Sequence, residues 1–279
     1  MFRAWCAQHA GAAKQRRHGV ACVKLCRFSG RGADTSHTAL HRMKALTFPI
    51  PSLSLVFLMY NEAENIGAVL QEALGYCRQE LDDWEILVVD DGSTDDGPEV
   101  VRQFMADEPR IRLVQHEQNQ GMGGGMRTGI AHVRHDYFVF FPADGQIDPW
   151  ELTRMVPLLA GGDIVVSVYP HRHSTLQRAV MSRAFRDFMQ FAANIRFQLE
   201  GLYLYPTAAA REFIPLVRGR TFFVSFDLIQ RGVESGLRVV TTTIDVRPRL
   251  SGSSKVTKPG SILKVAREVW EYRERRRAE

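Results

Sequence analysis

The sequence predicts an α/β fold: a Rossmann-like, mainly parallel central sheet flanked by helices. Three observations carry that prediction. From residue 49 on, short apolar runs alternate with amphipathic stretches in the order βαβαβαβαβ, which implies parallel strands joined by right-handed crossovers. The 279 residues are 45% hydrophobic and 24% charged, a globular composition with material for a sizeable core. No apolar run approaches the ~18–20 residues that span a bilayer. The longest, Met155 to Tyr169, is broken by Gly161, Gly162 and Asp163.

Leu53–Tyr60 reads as a strand bounded by Pro49 and Pro51. Asn61–Glu80 reads as a helix, with Ile66, Val69, Leu70, Ala73 and Leu74 on one face. Glu85–Val89 is a buried type of strand, Gly97–Ala106 a helix and Ile111–Gln115 a strand. Met122–Val133 follows as a helix, Tyr137–Phe141 as a strand, Pro149–Leu159 as a helix and Ile164–Val168 as a strand. Phe185, Phe188, Met189, Phe191 and Ala192 lie in a helical stretch through Phe197 that suits either core packing or a membrane-facing helix. A last amphipathic helix, Ser261–Arg277, places Ile262, Val265, Ala266, Val269 and Trp270 on one face. Its four terminal arginines, Arg273, Arg275, Arg276 and Arg277, favour the helix dipole or an anionic lipid surface. Residues 261–279 are therefore set apart from a main domain at 49–260.

Residues 1–48 show no such periodicity. They hold nine Lys/Arg and one acid, Asp34, with Cys6, Cys22 and Cys26. The expectation is a disordered basic extension, or upstream sequence before a start at Met43; an organelle transit peptide and a zinc site on Cys22 and Cys26 are the alternatives. Cys77 is the one thiol in the body of the chain, so no disulfide framework is expected and a cytoplasmic setting fits.

The net charge of +5 is an average. Residues 49–150 carry six bases and eighteen acids, whereas residues 151–279 carry twenty-one bases and twelve acids. A uniformly basic nucleic-acid binder would not show this split, and no nucleic acid is expected as partner.

In parallel α/β sheets, ligands bind at the carboxyl ends of strands. Three loops sit there. Asp90-Asp91-Gly92-Ser93-Thr94-Asp95 offers two carboxylates for a base or ribose, and Thr94 or Asp95 can cap the next helix. Asn119 to Gly129 is glycine-rich, which suits close approach of a ligand or of a neighbouring element. It is neither a dinucleotide fingerprint, since Met126 stands where glycine is needed, nor a P-loop. Pro142-Ala143-Asp144-Gly145-Gln146-Ile147-Asp148-Pro149 places Asp144 and Gln146 as hard oxygen ligands for Mg²⁺ or Mn²⁺ on a diphosphate. Asp148 reads as a helix N-cap ahead of Pro149.

With Tyr60-Asn61-Glu62-x-Glu64-Asn65-Ile66, these segments resemble the family 2 glycosyltransferases of GT-A fold over roughly residues 50–260. Arg249-Leu250-Ser251-Gly252-Ser253-Ser254-Lys255 resembles the R-x-x-G-x-S-K element of the dolichyl- and polyprenyl-phosphate sugar synthases. The resemblance implies an inverting transfer from a nucleotide sugar, GDP-mannose or a UDP-sugar, to a polyprenyl or dolichyl phosphate. It implies Tyr60, Asn61, Glu62, Asp90 and Asp91 at the nucleotide, with Gly121, Gly123 and Arg127 as further substrate contacts. Asp144 and Gln146 take the metal–diphosphate position, and Asp144, Arg249 and Lys255 are the catalytic candidates. Ser254 joins them at phosphate, and Arg172, Arg178 and Arg183 meet the lipid phosphate. A His171-Arg172-His173 loop is read as solvated, with Arg172 able to touch phosphate. The setting implied is peripheral at the cytoplasmic membrane face, alone or with a membrane subunit.

The chain departs from the family pattern at Leu58, where proline is usual, and at Pro142, where the metal motif has its first Asp. Tyr203 to Ala210 stands where the family has a D-x-x-x-G region and lacks its acidic residue, and no apolar run matches the C-terminal membrane helices of many relatives. A GT-A enzyme with a non-lipid acceptor, or a pseudoenzyme that binds nucleotide sugar or partners a membrane subunit, are the alternatives.

Overall fold

A computed structural model of the chain describes residues 50–169, 183, 187, 189–191, 197, 199–248 and 259–278. All its elements belong to the unit Leu46–Glu279. Cys22, Cys26 and Met43 lie outside the described residues.

The chain order is β1 (Leu53–Met59), α1 (Ala63–Glu80), β2 (Trp84–Asp90), α2 (Gly97–Asp107), β3 (Ile111–Gln115), α3 (Gly121–His132) and β4 (Tyr137–Pro142). Then come α4 (Leu152–Met155), β5 (Ile164–Val168), β6 (Tyr203–Pro206), α5 (Thr207–Phe213), α6 (Phe223–Glu234), β7 (Val239–Thr243) and α7 (Pro259–Ala278). One seven-stranded sheet runs β3-β2-β1-β4-β6-β5-β7. β1 to β4 are mutually parallel, as is the pair β5–β7. The exception is β6, which runs antiparallel to both β4 and β5 and separates them.

The long apolar runs follow from coverage on both faces. Successive side chains of a strand point to opposite sides. Leu55, Phe57, Ile86 and Val88 therefore join the core under α1, with Ile66, Val69, Leu70 and Ala73. Val56, Leu87 and Val89 join the opposite core with Met126 and Ile130 of α3 and with Leu228 and Ile229 of α6. A third cluster joins Phe223 and Phe226 of α6 to Val265, Val269 and Tyr272 of α7, with Met189.

The structure corrects several sequence expectations. The stretch expected as one helix at Pro149–Leu159 is a 3₁₀ turn, the short α4 and a second 3₁₀ turn. Pro157 within it cannot donate its missing N–H to a longer helix. The N-cap of α2 is Asp96, without a side-chain cap, although Asp95 accepts from Gly97 N at 3.1 Å. On α7, Trp270 does not share the apolar face: it is 53% exposed, while Val265, Val269 and Tyr272 are buried. Phe191 is likewise exposed and Met189 buried; Phe185, Phe188 and Ala192 lie outside the described residues.

Glu108, at the C-cap of α2, is 6% exposed and gripped by Arg110 at 2.8 Å and Arg78 at 3.0 Å. Hydrogen bonding from Arg110 draws its carboxyl down to about 2, against the opposing effect of burial and with the help of Arg78. A depressed carboxyl stabilises the fold above its unfolded value, and that stabilisation is lost as pH falls through the folded value. The denaturation midpoint should therefore fall between about pH 4.5 and pH 2. Glu108→Gln should lower the midpoint at neutral pH and flatten that part of the curve. An unchanged pH dependence would remove Glu108 from the account.

Candidate active site

The strand registers bring three loops to one edge. Met59 is level with Asp90 across β1–β2, and Leu58 with Pro142 across β1–β4. From β1 the chain steps outward through β2 to β3, and then returns to the other side of β1 with β4. The crevice between the carboxyl ends of β1 and β4 is thus the switch point at which open α/β sheets take ligands.

The loop after β1 is stapled to the loop after β2. Asn61 sits at φ 52°, a left-handed conformation that Asn tolerates better than most residues. In that pose its N–H donates to Ser93 Oγ at 2.8 Å, and its Oδ1 accepts from Thr94 N at 2.8 Å. Ala63 N donates to Asp95 Oδ2 at 2.9 Å. Asn65 Nδ2 donates to the Glu62 carboxylate at 2.6 Å, and Tyr60 is 38% exposed at the edge.

The two acids at the end of β2, Asp90 and Asp91, are buried and engaged. Asp90 accepts from the Ser93 hydroxyl, from Ser93 N at 3.2 Å and from Gln115 Nε2 at 3.1 Å. Asp91 Oδ1 meets His116 Nδ1 at 2.8 Å and accepts from Gln120 N at 2.7 Å, while its Oδ2 accepts from Gly121 N at 2.8 Å. Asp91 thus caps the N-terminus of α3, where the helix dipole favours an anion. His116 Nε2 meets Thr128 Oγ1 at 2.8 Å, so the ring ties Asp91 to the second turn of α3.

Gly123 shows why the segment is glycine-rich. Its N–H donates to Arg220 O at 2.9 Å, and a Cβ there would lie 2.7 Å from the Arg220 carbonyl carbon. At Gly129 a Cβ would lie 2.8 Å from the Phe140 ring. Both glycines permit close approach of neighbouring elements, one of the two uses the sequence left open. Arg127 donates to Gly123 O at 3.0 Å and to Val217 O at 2.7 Å.

The loop after β4 turns at Gly145, φ 71°. Asp144, 4% exposed, accepts from Gln146 N at 3.0 Å. Asp148 caps the following 3₁₀ turn as expected, accepting from Trp150 N at 3.0 Å. Arg247 holds this loop from outside the three motifs. Its Nε donates to Gly145 O at 2.6 Å, its backbone N–H donates to Gln146 O at 3.0 Å, and its Nη1 lies 3.6 Å from Asp148. Its Nη2 pairs with Glu72 of α1, and this bond holds the guanidinium above its usual pKa.

Sequence reasoning passed over Arg247 because it matches no motif; its partners lie about 100 and 175 positions away. Its nearness to Arg249 was the available signal. Arg247→Ala should lower kcat/KM about 10–100-fold, the effect usual when a group behind a ligand-bearing loop is lost. It should also raise the cation concentration for half-maximal activity. Steady-state kinetics against Mg²⁺ checks both, and a wild-type metal response would refute the positioning role.

The structure thus brings Tyr60, Asn61, Glu62, Asp91, Asp144 and Gln146 on loops, with Asp90 at the end of β2 and Gly121 at the start of α3, to one end of the sheet. Arg127 and Gly123 lie behind them on α3. Arg183 is exposed and lies 4.0 Å from Asp187. Arg172, Arg178, Arg249, Ser254 and Lys255 lie outside the described residues, as do His171 and His173.

Among the described residues no three His, Cys, Asp or Glu side chains are placed to hold a metal. With Pro142 beside them, Asp144 and Gln146 offer one carboxylate and one amide. Mg²⁺ commonly takes one or two carboxylates with substrate phosphates and water. The donor set therefore fits a cation that arrives with a diphosphate rather than one held by protein alone.

A model of the family described as glycosyl transferase family 2 matches residues 54–215. An undecaprenyl-phosphate 4-deoxy-4-formamido-L-arabinose transferase of Pectobacterium carotovorum is 33% identical over 136 residues, 48% of this chain and 42% of its own length. A dolichyl-phosphate beta-glucosyltransferase of Saccharomyces cerevisiae is 36% identical over 99 residues, 33% of this chain and 30% of that protein. The chain thus spans less than half the length of these curated relatives. Glucosyl-3-phosphoglycerate synthase from Mycobacterium tuberculosis, in complex with Mn²⁺, UDP and phosphoglyceric acid, superposes with a TM-score of 0.59 at 18% identity over 78% of each chain.

Proposed function

The chain belongs to glycosyl transferase family 2, and on that premise we propose that it transfers a sugar from a nucleotide-sugar donor to a polyprenyl or dolichyl phosphate, with inversion. Its fold is the GT-A arrangement: a mostly parallel sheet with flanking helices, similar to the synthase above. The observation that carries the reading is the meeting of three loops, Tyr60–Glu62, Asp90–Asp95 and Asp144–Gln146, at the β1/β4 switch point. Both curated relatives named above are transferases on a lipid phosphate, which favours that acceptor over a soluble one.

A phosphate oxygen is already anionic near neutral pH, so the acceptor needs no strong general base. The protein's task is alignment of the reactants and stabilisation of the departing diphosphate. Asp144 and Gln146 would hold Mg²⁺ or Mn²⁺, which supplies positive charge at that leaving group. Arg249, Ser254 and Lys255 would bind phosphate from the C-terminal side. The nucleotide lies between Tyr60–Glu62 and the loop after β2, with Asp91 shaping the wall through α3. No described helix is long and apolar enough to cross a membrane, and contact with the lipid is read as peripheral.

Thermal stabilisation by a panel of nucleotide sugars with Mg²⁺, followed by transfer to a short polyprenyl phosphate, tests the reading. One nucleotide sugar should stabilise the protein and be consumed only when acceptor is present. Neutralising Arg249 and Lys255 together should abolish transfer, whereas deleting residues 1–42 should leave it intact. Stabilisation without turnover on any acceptor would favour a binding protein.

A further inference from the structure

The outer face of α3 borders a second recess. Gly125 and Gly129 face the sheet, where a Cβ at either would meet Leu58 at 3.2 Å or Phe140 at 2.8 Å. Arg127, about 200° round the helix from Gly125, faces away from β1 and the crevice. With Ile214, Pro215, Val217, Arg218 and Arg220 it lines a recess of about 430 Å³.

The acids near these arginines act on Arg127 only at longer range. Among the described residues no carboxylate lies within ion-pair distance of Arg127, Arg218 or Arg220. Burial holds the Arg127 guanidinium below its usual pKa; Arg218 and Arg220 push the same way, while Glu268 and Asp227 oppose them. Both oxygens of Glu268 serve other donors: Arg220 N at 2.8 Å, Thr221 N at 3.2 Å and Thr221 Oγ1 at 2.7 Å. Asp227 is paired with Arg231 at 2.8 Å. Arg127 is also preorganised, since its two carbonyl bonds fix the plane of the guanidinium while other N–H groups remain for a ligand.

From this geometry we infer that the recess binds a phosphate group, with Arg127 as the fixed wall and Arg218 and Arg220 closing from the exposed rim. Guanidinium forks match phosphate oxygens in pairs, and a dianion would offset three like charges gathered in one place. Ile214, Pro215 and Val217 give the recess an apolar side next to the arginines. The phosphate can therefore be free or carried on a lipid headgroup. The site concerns binding alone and stands apart from the transfer reaction.

The test uses the full chain. Inorganic phosphate is titrated by calorimetry at constant ionic strength, and phosphatidylglycerol vesicles are compared with phosphatidylcholine vesicles by co-sedimentation. The double variant R218Q/R220Q should lower affinity at least tenfold for the probe that wild type binds, and R218Q alone should lower it severalfold. Asp144→Ala, at the crevice, should leave it within twofold of wild type. Loss confined to phosphate names a free ligand; loss confined to vesicles names a headgroup. Wild-type affinity in the double variant, no binding of either probe to wild type, or an equal loss in Asp144→Ala would overturn the assignment. Near-ultraviolet circular dichroism verifies that each variant is folded.

Discussion

Asp144→Ala should lower the rate of sugar transfer by about 10³-fold or more while leaving the fold intact. Asp144 is the one carboxylate of the Pro142–Gln146 loop, with Pro142 where the family pattern that the sequence resembles would place an acid. Charge stabilisation by a cation on a leaving diphosphate is worth several kcal/mol, and about 4 kcal/mol corresponds to about 10³ in rate. The next acid, Asp148, is engaged by Trp150 N at 3.0 Å and lies 3.6 Å from Arg247. Asp144→Asn keeps an oxygen for Gln146 N and so separates the loop's shape from the charge; it should keep the melting temperature and still lose most of the rate. Full activity in Asp144→Ala would take Asp144 out of the site.

The second large effect should come from Asp91→Ala, and in a different observable. Its carboxylate serves two backbone N–H groups, Gln120 and Gly121, and the His116 ring. Stranding partly buried donors costs about 1–3 kcal/mol each before relaxation. A net loss of about 2–4 kcal/mol is expected, or roughly 10 °C in melting temperature for a domain of this size. The start of α3 borders the loop after β2, so donor KM should rise as stability falls. Asp91→Asn keeps an acceptor and should lose about half as much. Urea denaturation beside donor kinetics checks this; a wild-type stability curve with a raised KM would instead make Asp91 a direct nucleotide contact, the role the resemblance implied.

The first half of the domain was legible because its physics is local. Ile111–Gln115 and Ile164–Val168 begin and end where the apolar runs do. β1, β2 and β4 differ from expectation by single residues at their ends, because buried parallel strands are short apolar runs bounded by turn residues. The loops at their carboxyl ends were legible for the same reason, since parallel topology sends every strand's exit to one edge.

What escaped depends on distant partners. β6 is the four-residue stretch Tyr203–Pro206, too short to show a period, and its antiparallel insertion between β4 and β5 is set by pairing with residues 137–139 and 165–166. Trp270 fits the apolar stripe of α7 in a one-dimensional count, yet among the described residues Val265, Val269 and Tyr272 are the ones that fill the contact of α7 with Phe223 and Phe226 of α6. Asp91 reads as a nucleotide contact in sequence, and nothing near it there reveals that Gln120 N and Gly121 N also bond its carboxylate from 29 and 30 positions away. The same holds for Arg247, whose partners on α1 and the Gly145 turn meet it only in the folded sheet.

The most direct measurement is organic-solvent extraction of the product. The full chain is incubated with a radiolabelled nucleotide sugar, Mg²⁺ and a short polyprenyl phosphate, and the extracted lipid is counted and its anomeric configuration read by NMR. The account requires label in the lipid phase, inverted at the anomeric carbon, dependent on acceptor and divalent cation and absent with Asp144→Ala. Label that never enters the lipid phase with any nucleotide sugar that binds, or that enters it equally with Asp144→Ala, would contradict it.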